Sequence, residues 1–163
     1  MFRELRRKSQ LLSKEETIEI LKSNTSGTLA CFGDDGYPYA VPLSYVYSNN
    51  KIYFHCALEG HKIDAIKKNE KVSFSVIHQD KILPEKFTTC YKSVILFGKA
   101  HIIDNPQKIH SSIYELSKKY SNCSDTEIQK EIEKFANKFY MVEITIEHMT
   151  GKEAIELAKK RKS

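Results

Sequence analysis

The stretch "GTLACFGDDGYPYAVPLSYVYSNNKIYFHCA", Gly27 to Ala57, decides the fold. Its three apolar runs are separated by "GDDG" and by "SNN" at Ser48–Asn50, turns too short to hold a crossover helix. Asp35-Gly36 is a strong hairpin signal, because a tight hairpin loop needs positive φ angles that Asp and Gly tolerate. Three antiparallel strands in a meander follow. Pro38 and Pro42 fall inside the second run, and proline has no ladder donor, so that strand is expected to be irregular or partly unpaired around Val41–Leu43. Free backbone groups there suit either a planar polar ligand or a bulge that closes a barrel.

Further along, "KVSFSVIH", "TTCYKSVILFGKAHII" and "FYMVEITIEHM" are β-rich, the last alternating Val142, Ile144 and Ile146 against Glu143, Thr145 and Glu147. Helices are expected where capping signals meet helical periodicity. "LLSKEETIEILKSN" carries the capping box Ser13-x-x-Glu16 and puts Ile18 and Leu21, with Thr17 beside them, on one face. "NPQKIHSSIYELSKKY" has Pro106 near its start, and "SDTEIQKEIEKFANK" joins the box Ser124-x-x-Glu127 to a stripe of Ile128, Ile132 and Phe135. "GKEAIELAKKRK" reads as a terminal helix. About six strands with short turns and peripheral helices predict a mainly β, α+β fold closing as a small antiparallel barrel. No G-x-G-x-x-G or Walker loop is present, which with the short turns removes a parallel nucleotide-binding sheet.

At 163 residues the chain predicts one domain, 1–163, and 40% apolar with 10% aromatic residues is the composition of a globular protein. Much of the net charge of +5 sits in "RELRRK" (Arg3–Lys8) and "KKRKS" (Lys159–Ser163), read as basic ends that fray within residues 1–10 and 158–163. Neither nucleic-acid nor membrane binding is expected, and with no apolar leader or membrane-length run the predicted location is cytoplasmic. Cys31, Cys56, Cys90 and Cys123 form no C-x-x-C pair, and at least three read as core thiols.

"YFHCALEGHKIDAIKKN", Tyr53–Asn69, holds the densest chemistry. His55, Cys56 and His61 lack a recognisable zinc spacing, and neighbouring strand residues point to opposite faces, which weakens a Cys56–His55 nucleophile pair. An anion cradle fits better: Gly60 turns the chain, the next helix offers free N–H groups, His61 adds a donor and Lys62 a charge. A solvated helix start explains the same residues.

Four segments, "GTLACFGDDGYPYAVPLSYVY", "KIYFHCALEGHKIDAIKKNEKVSFSV", "YKSVILFGKAHII" and "YMVEITIEHMTGKEAIEL", together resemble the pyridoxamine 5′-phosphate oxidase-like flavoproteins, in particular the branch related to nitroimidazole reductases. The resemblance implies a six-stranded split β-barrel that forms a homodimer and holds FMN between subunits. It places the backbone of Val41, Pro42, Leu43 and Tyr45 along the isoalloxazine, and Phe54, His55, Gly60, His61 and Lys62 near the ribityl-phosphate. Tyr91, Ser93 and Val94 match a segment that completes the pocket, often from the other subunit. "EGHK" stands where oxidases carry Ser-Arg-Lys, so histidine replaces an arginine of the phosphate grip. The chain has no Trp and lacks the arginine-rich end of the true oxidases, which argues against vitamin B6 oxidation. The implied activity is passage of electrons from NAD(P)H through FMN to a small electron-poor acceptor such as a nitroaromatic, with His55 as the candidate active-site residue. The alternatives are a flavin-binding, stress-related module without turnover and a haem-binding split barrel.

Overall fold

The computed structural model describes residues 2–162. Among them, seven strands make one antiparallel sheet: β1 Ser26–Phe32, β2 Pro38–Ser44, β3 Val46–Ser48, β4 Lys51–Cys56, β5 Lys71–Leu83, β6 Thr88–Ile102 and β7 Tyr140–Glu153. Their order is β2-β1-β5-β6-β7-β4-β3. Leu29 of β1 and Phe54 of β4 come from nearly opposite ends of that order, yet share one buried core with Phe74, Leu96 and Ile144. The sheet therefore curls round on itself, giving a split barrel filled by alternate side chains. Helix α1 (Lys14–Ser23) adds Ile20 and Leu21 to this core, and α2 (His61–Lys68) adds Ile63, Ala65 and Ile66. A second, smaller core lies outside the barrel, where α3 (Pro106–Tyr120) sets Ile113 and Leu116 against Tyr53 and Met141; α4 (Asp125–Lys134) leans on α3.

Local chemistry accounts for the boundaries. Both capping boxes form: Ser13 accepts from the Glu16 N–H while Glu16 accepts from the Ser13 N–H, and Ser124 and Glu127 repeat the exchange. Asp35 (φ 54°) and Gly36 (φ 79°) turn β1 into β2, and Asn49 and Asn50, both at positive φ, turn β3 into β4.

Four expectations need correction. There are seven strands, not six, because the second run breaks at Tyr45: its N–H bonds the Tyr120 hydroxyl and its own hydroxyl donates to the Leu21 carbonyl, which pulls it out of the ladder. The prolines do not disturb β2, which pairs residue for residue with β1 from Pro38↔Phe32 to Ser44↔Ser26. β2 is an edge strand, the position in which a missing N–H costs no ladder bond. Glu143, placed by alternation on the polar face, is buried because α3 covers that face. The last helix, α5, starts at Ile155; Gly151–Glu153 belong to β7, where Lys152 pairs with Ser93.

The basic stretch Arg3–Lys8 is largely exposed, but residues on either side of it are tied down. Phe2 stacks on His148 at 4.9 Å, and the buried Gln10 side chain donates to the Glu153 carbonyl at 2.9 Å. No helix among the described residues is long and apolar enough to cross a membrane.

Candidate functional site

The turn from β4 into α2 builds the site. Gly60 sits at φ 127°, a conformation that side-chain-bearing residues rarely adopt, and its carbonyl accepts from the N–H groups of Ile63 and Asp64 at 2.9 and 3.2 Å. The N–H groups of His61 and Lys62 open the helix, and first-turn donors have no acceptor within their own helix. The positive end of the helix dipole faces the same way.

The two side chains of "HK" diverge. The His61 ring lies against Tyr39 of β2 at 4.1 Å, and its Nε2 is 3.5 Å from Asp34 Oδ2. The other oxygen of Asp34 accepts from Lys68 at 2.9 Å; that bond, then the charges of Lys68 and His61, holds the Asp34 carboxyl below its ordinary range. Lys62 is half-buried, and its charge reaches Cys31, His55 and Cys56. Among the described residues no carboxylate lies within ion-pair distance of Lys62.

His55 projects from the outer face of β4, with its ring edge to Phe139 at 6.1 Å. Crowding by neighbouring atoms, then the Lys62 charge, lowers its pKa, so the imidazole is neutral at pH 7 and presents one donor and one acceptor. Cys56 points the other way, into the core, and burial pushes its thiol pKa up, as it does for Cys31. This arrangement carries no Cys–His nucleophile, and among the described residues no group of three His, Cys, Asp or Glu is placed to hold a metal ion.

The remaining sequence candidates divide by burial and by position. Tyr45, Phe54 and Val94 are fully buried, so only their backbone can reach a ligand. Val41 and Leu43 pack inward against the barrel core while Pro42 is exposed on the other face of β2. Ala30, Ser73 and Phe97 form one row across the sheet, with Gly33 three residues beyond it and Tyr91 six residues before it on a strand running the same way. His61 lies beside Gly33. Tyr91 and His61 are thus at opposite ends of the barrel, on the order of 30 Å apart at the usual strand rise. Ser93 is two residues nearer. One chain does not bring the two groups together. Lys152 lies at the Tyr91 end, its Nζ 5.4 Å from the Tyr91 ring.

Tyr39, Asp34 and Lys68 escaped the sequence reading. Asp34 stood out only as a turn residue, Tyr39 only as a strand aromatic, and nothing local signals that the β1–β2 hairpin reaches the first turn of α2.

A split barrel of this topology defines a class of protein, and the comparisons agree with it. The model of the pyridoxamine 5′-phosphate oxidase family matches residues 13–153, and the chain belongs to that family. A 5-nitroimidazole antibiotic resistance protein, so named provisionally, from Bacteroides thetaiotaomicron has the same fold at TM-score 0.73 and 19% identity, over 88% of this chain and 86% of that one. A FAD-binding protein from Mesorhizobium loti superposes at TM-score 0.59 with 27% identity, over 89% and 97% of the two chains. An uncharacterised protein of Rhizobium meliloti is 30% identical over 101 residues, 62% of this chain and 62% of its own length.

Proposed function

We propose that the protein binds FMN and passes electrons from NAD(P)H through it to a small electron-poor acceptor such as a nitroaromatic. The observation that carries this reading is Lys62: a half-buried ammonium with no carboxylate partner among the described residues, at a helix start that already offers N–H donors. An unpaired cation in such a place is best satisfied by an anion of the size of a phosphate monoester. Asp34 would repel that anion, but its charge is offset by Lys68. The FAD-binding protein of Mesorhizobium loti supports a flavin as the bearer of the phosphate, and the Bacteroides resistance protein supports a nitroimidazole-like acceptor.

In this reading Lys62 and the first N–H groups of α2 fix the phosphate, while the open edge of β2 offers backbone groups to the ring. The neutral His55 serves as an uncharged hydrogen-bonding group near the ribityl chain. Bound FMN supplies the two-electron exchange between nicotinamide and acceptor, so the protein's work is orientation and electrostatics. Tyr91 and Ser93 lie too far from Lys62 to share a ligand within one chain. A homodimer in which a second copy brings them to the first copy's α2 would complete the site, and it is part of the proposal.

The purified protein is expected to be yellow, or to turn yellow with added FMN, to bleach with NAD(P)H and to recover colour with a nitroimidazole. A colourless protein that takes up no FMN, or one with a haem Soret band in place of the flavin spectrum, overturns the reading.

A further inference from the structure

The apolar stripe of α4 opens progressively along its length. Ile128 is its buried residue, Ile132 is half-buried, and Phe135, at the C-cap, is 41% exposed. The helix thus leans on α3 by its first turns and lifts away from the end of β4 by its last. A cavity of about 380 Å³ fills the gap, lined by Ile113, Ser117, Ile132, Phe135, Phe139 and His55. It is the open end of the second core, which Ile113, Ile132 and Phe139 also line.

We propose that this cavity is a binding site for a small, uncharged, planar aromatic molecule. Its volume lies at the small end of the roughly 300–1,000 Å³ typical of ligand sites, enough for a one- or two-ring compound. Two phenylalanine rings and an imidazole offer stacking and edge contacts to a flat occupant, which aliphatic walls alone would not. His55 and Ser117 supply a few hydrogen-bonding groups to orient it. Glu131 and Lys138 bring one charge of each sign to the lining, so the site has no net charge to favour an ion over a neutral molecule.

The aromatic rim is held in place. The Phe135 N–H bonds the Glu131 carbonyl at 3.2 Å, the Lys138 N–H bonds the Phe135 carbonyl at 3.0 Å, and Asn137 takes the positive φ (63°) that closes the turn. Lys134 and Lys138 stand 5.0 and 5.6 Å from the Phe135 ring centroid, so both flank an aromatic that water would otherwise surround. His55 borders both this cavity and the proposed flavin site.

Indole is a suitable probe, because the chain has no tryptophan and indole excited at wavelengths beyond tyrosine absorption can be read apart from the protein. Titrating indole with the full-length protein is expected to give a saturable change and to move the imidazole NMR signals of His55. Ile132→Glu and Ser117→Phe, which charge and fill the cavity, should each weaken binding roughly tenfold or more, about 1.4 kcal/mol or above. Phe135→Ala removes a ring that is 41% exposed, should lower the melting temperature only slightly and should weaken binding several-fold. Benzoate and benzylamine should bind at least about tenfold more weakly than indole. No saturation up to the solubility of indole, equal affinity in all three variants, or an unmoved His55 would overturn the site. Tighter binding of a charged analogue would overturn its proposed preference.

Discussion

Lys108 Nζ lies 2.7 Å from the carboxylate of Glu143, so α3 is pinned across the sheet by an ion pair to a side chain that is 1% exposed. Lys51 reaches the same carboxylate at 2.8 Å and His101 at 3.4 Å. Burial alone would raise the Glu143 pKa, but hydrogen bonds from Lys108, Lys51 and Tyr53 outweigh it and hold the group at about 2, below its ordinary 4.5. A carboxyl depressed in the folded state stabilises above its unfolded pKa and loses that contribution as pH falls through the folded one. The melting temperature should therefore drop between about pH 4.5 and pH 2, and Glu143→Gln should flatten that drop. At pH 7 the same substitution leaves the half-buried ammonium groups of Lys51 and Lys108 without their carboxylate and should cost on the order of 2 kcal/mol, measurable by urea unfolding.

Lys62→Ala tests the anion cradle. Lys62 is only partly buried and has no carboxylate partner among the described residues, so its loss should leave thermal stability within about 0.5 kcal/mol. One charge-assisted hydrogen bond is worth about 1.5–3 kcal/mol, so FMN affinity should fall roughly ten- to a hundred-fold. Fluorescence titration of FMN against both proteins measures this, and unchanged affinity would return Gly60-His61-Lys62 to a solvated helix start.

The sequence carried the local signals well. Ser13 with Glu16, Ser124 with Glu127, Asp35-Gly36 and Gly60 each announce a cap or turn through their own side-chain or backbone chemistry, and each is found in that role. What it hid depends on contacts across the chain. Tyr45 ends β2 because Leu21 and Tyr120 bind it, partners 24 and 75 residues away. Glu143 reads as a surface residue by alternation until α3 is laid over it. Tyr39 joins His61 only because the β1–β2 hairpin and α2 meet at one end of the barrel. Periodicity placed Phe135 on a packed stripe, yet it could not show that α4 lifts off at that end.

Lys119 predicts a second pH effect, in the alkaline range. Its half-buried ammonium donates to the carbonyls of Asn24 and Tyr45 and sits 4.3 Å from the Tyr45 ring centroid, and burial draws its pKa down to about 8. A lysine depressed in the folded state is neutral there while still charged in the unfolded chain, so stability should rise as pH climbs from about 8 to the ordinary 10.5. The gain should be about 1 kcal/mol after allowing for solvent contact. Other groups titrate in this window too, so the measurement is the difference in unfolding free energy between the protein and Lys119→Met. That difference should change with pH, and a constant difference would contradict it.

Ile95→Lys addresses whether two copies complete the site. Ile95 lies on the outer sheet face in the same row as Ser75, and Ile77 and Ser93 form the next row; Ile77 is 69% and Ile95 46% exposed. Apart from Lys152, which continues the Ser93 row on β7, these rows carry small and apolar groups, a surface that suits self-association. Because Ile95 is so exposed in a single chain, a lysine there should cost the barrel less than about 1 kcal/mol. In a dimer that buries this face, the same lysine would be desolvated without a partner, and two copies related by symmetry would oppose like charges. Light scattering should then show the parent protein as two copies and the variant as one. FMN affinity should fall with dissociation, since separation withdraws Tyr91 and Ser93 from the partner's Lys62. A parent protein that binds FMN as a single chain would show that one copy suffices, and the distance between His61 and Tyr91 would then have no bearing on the cofactor.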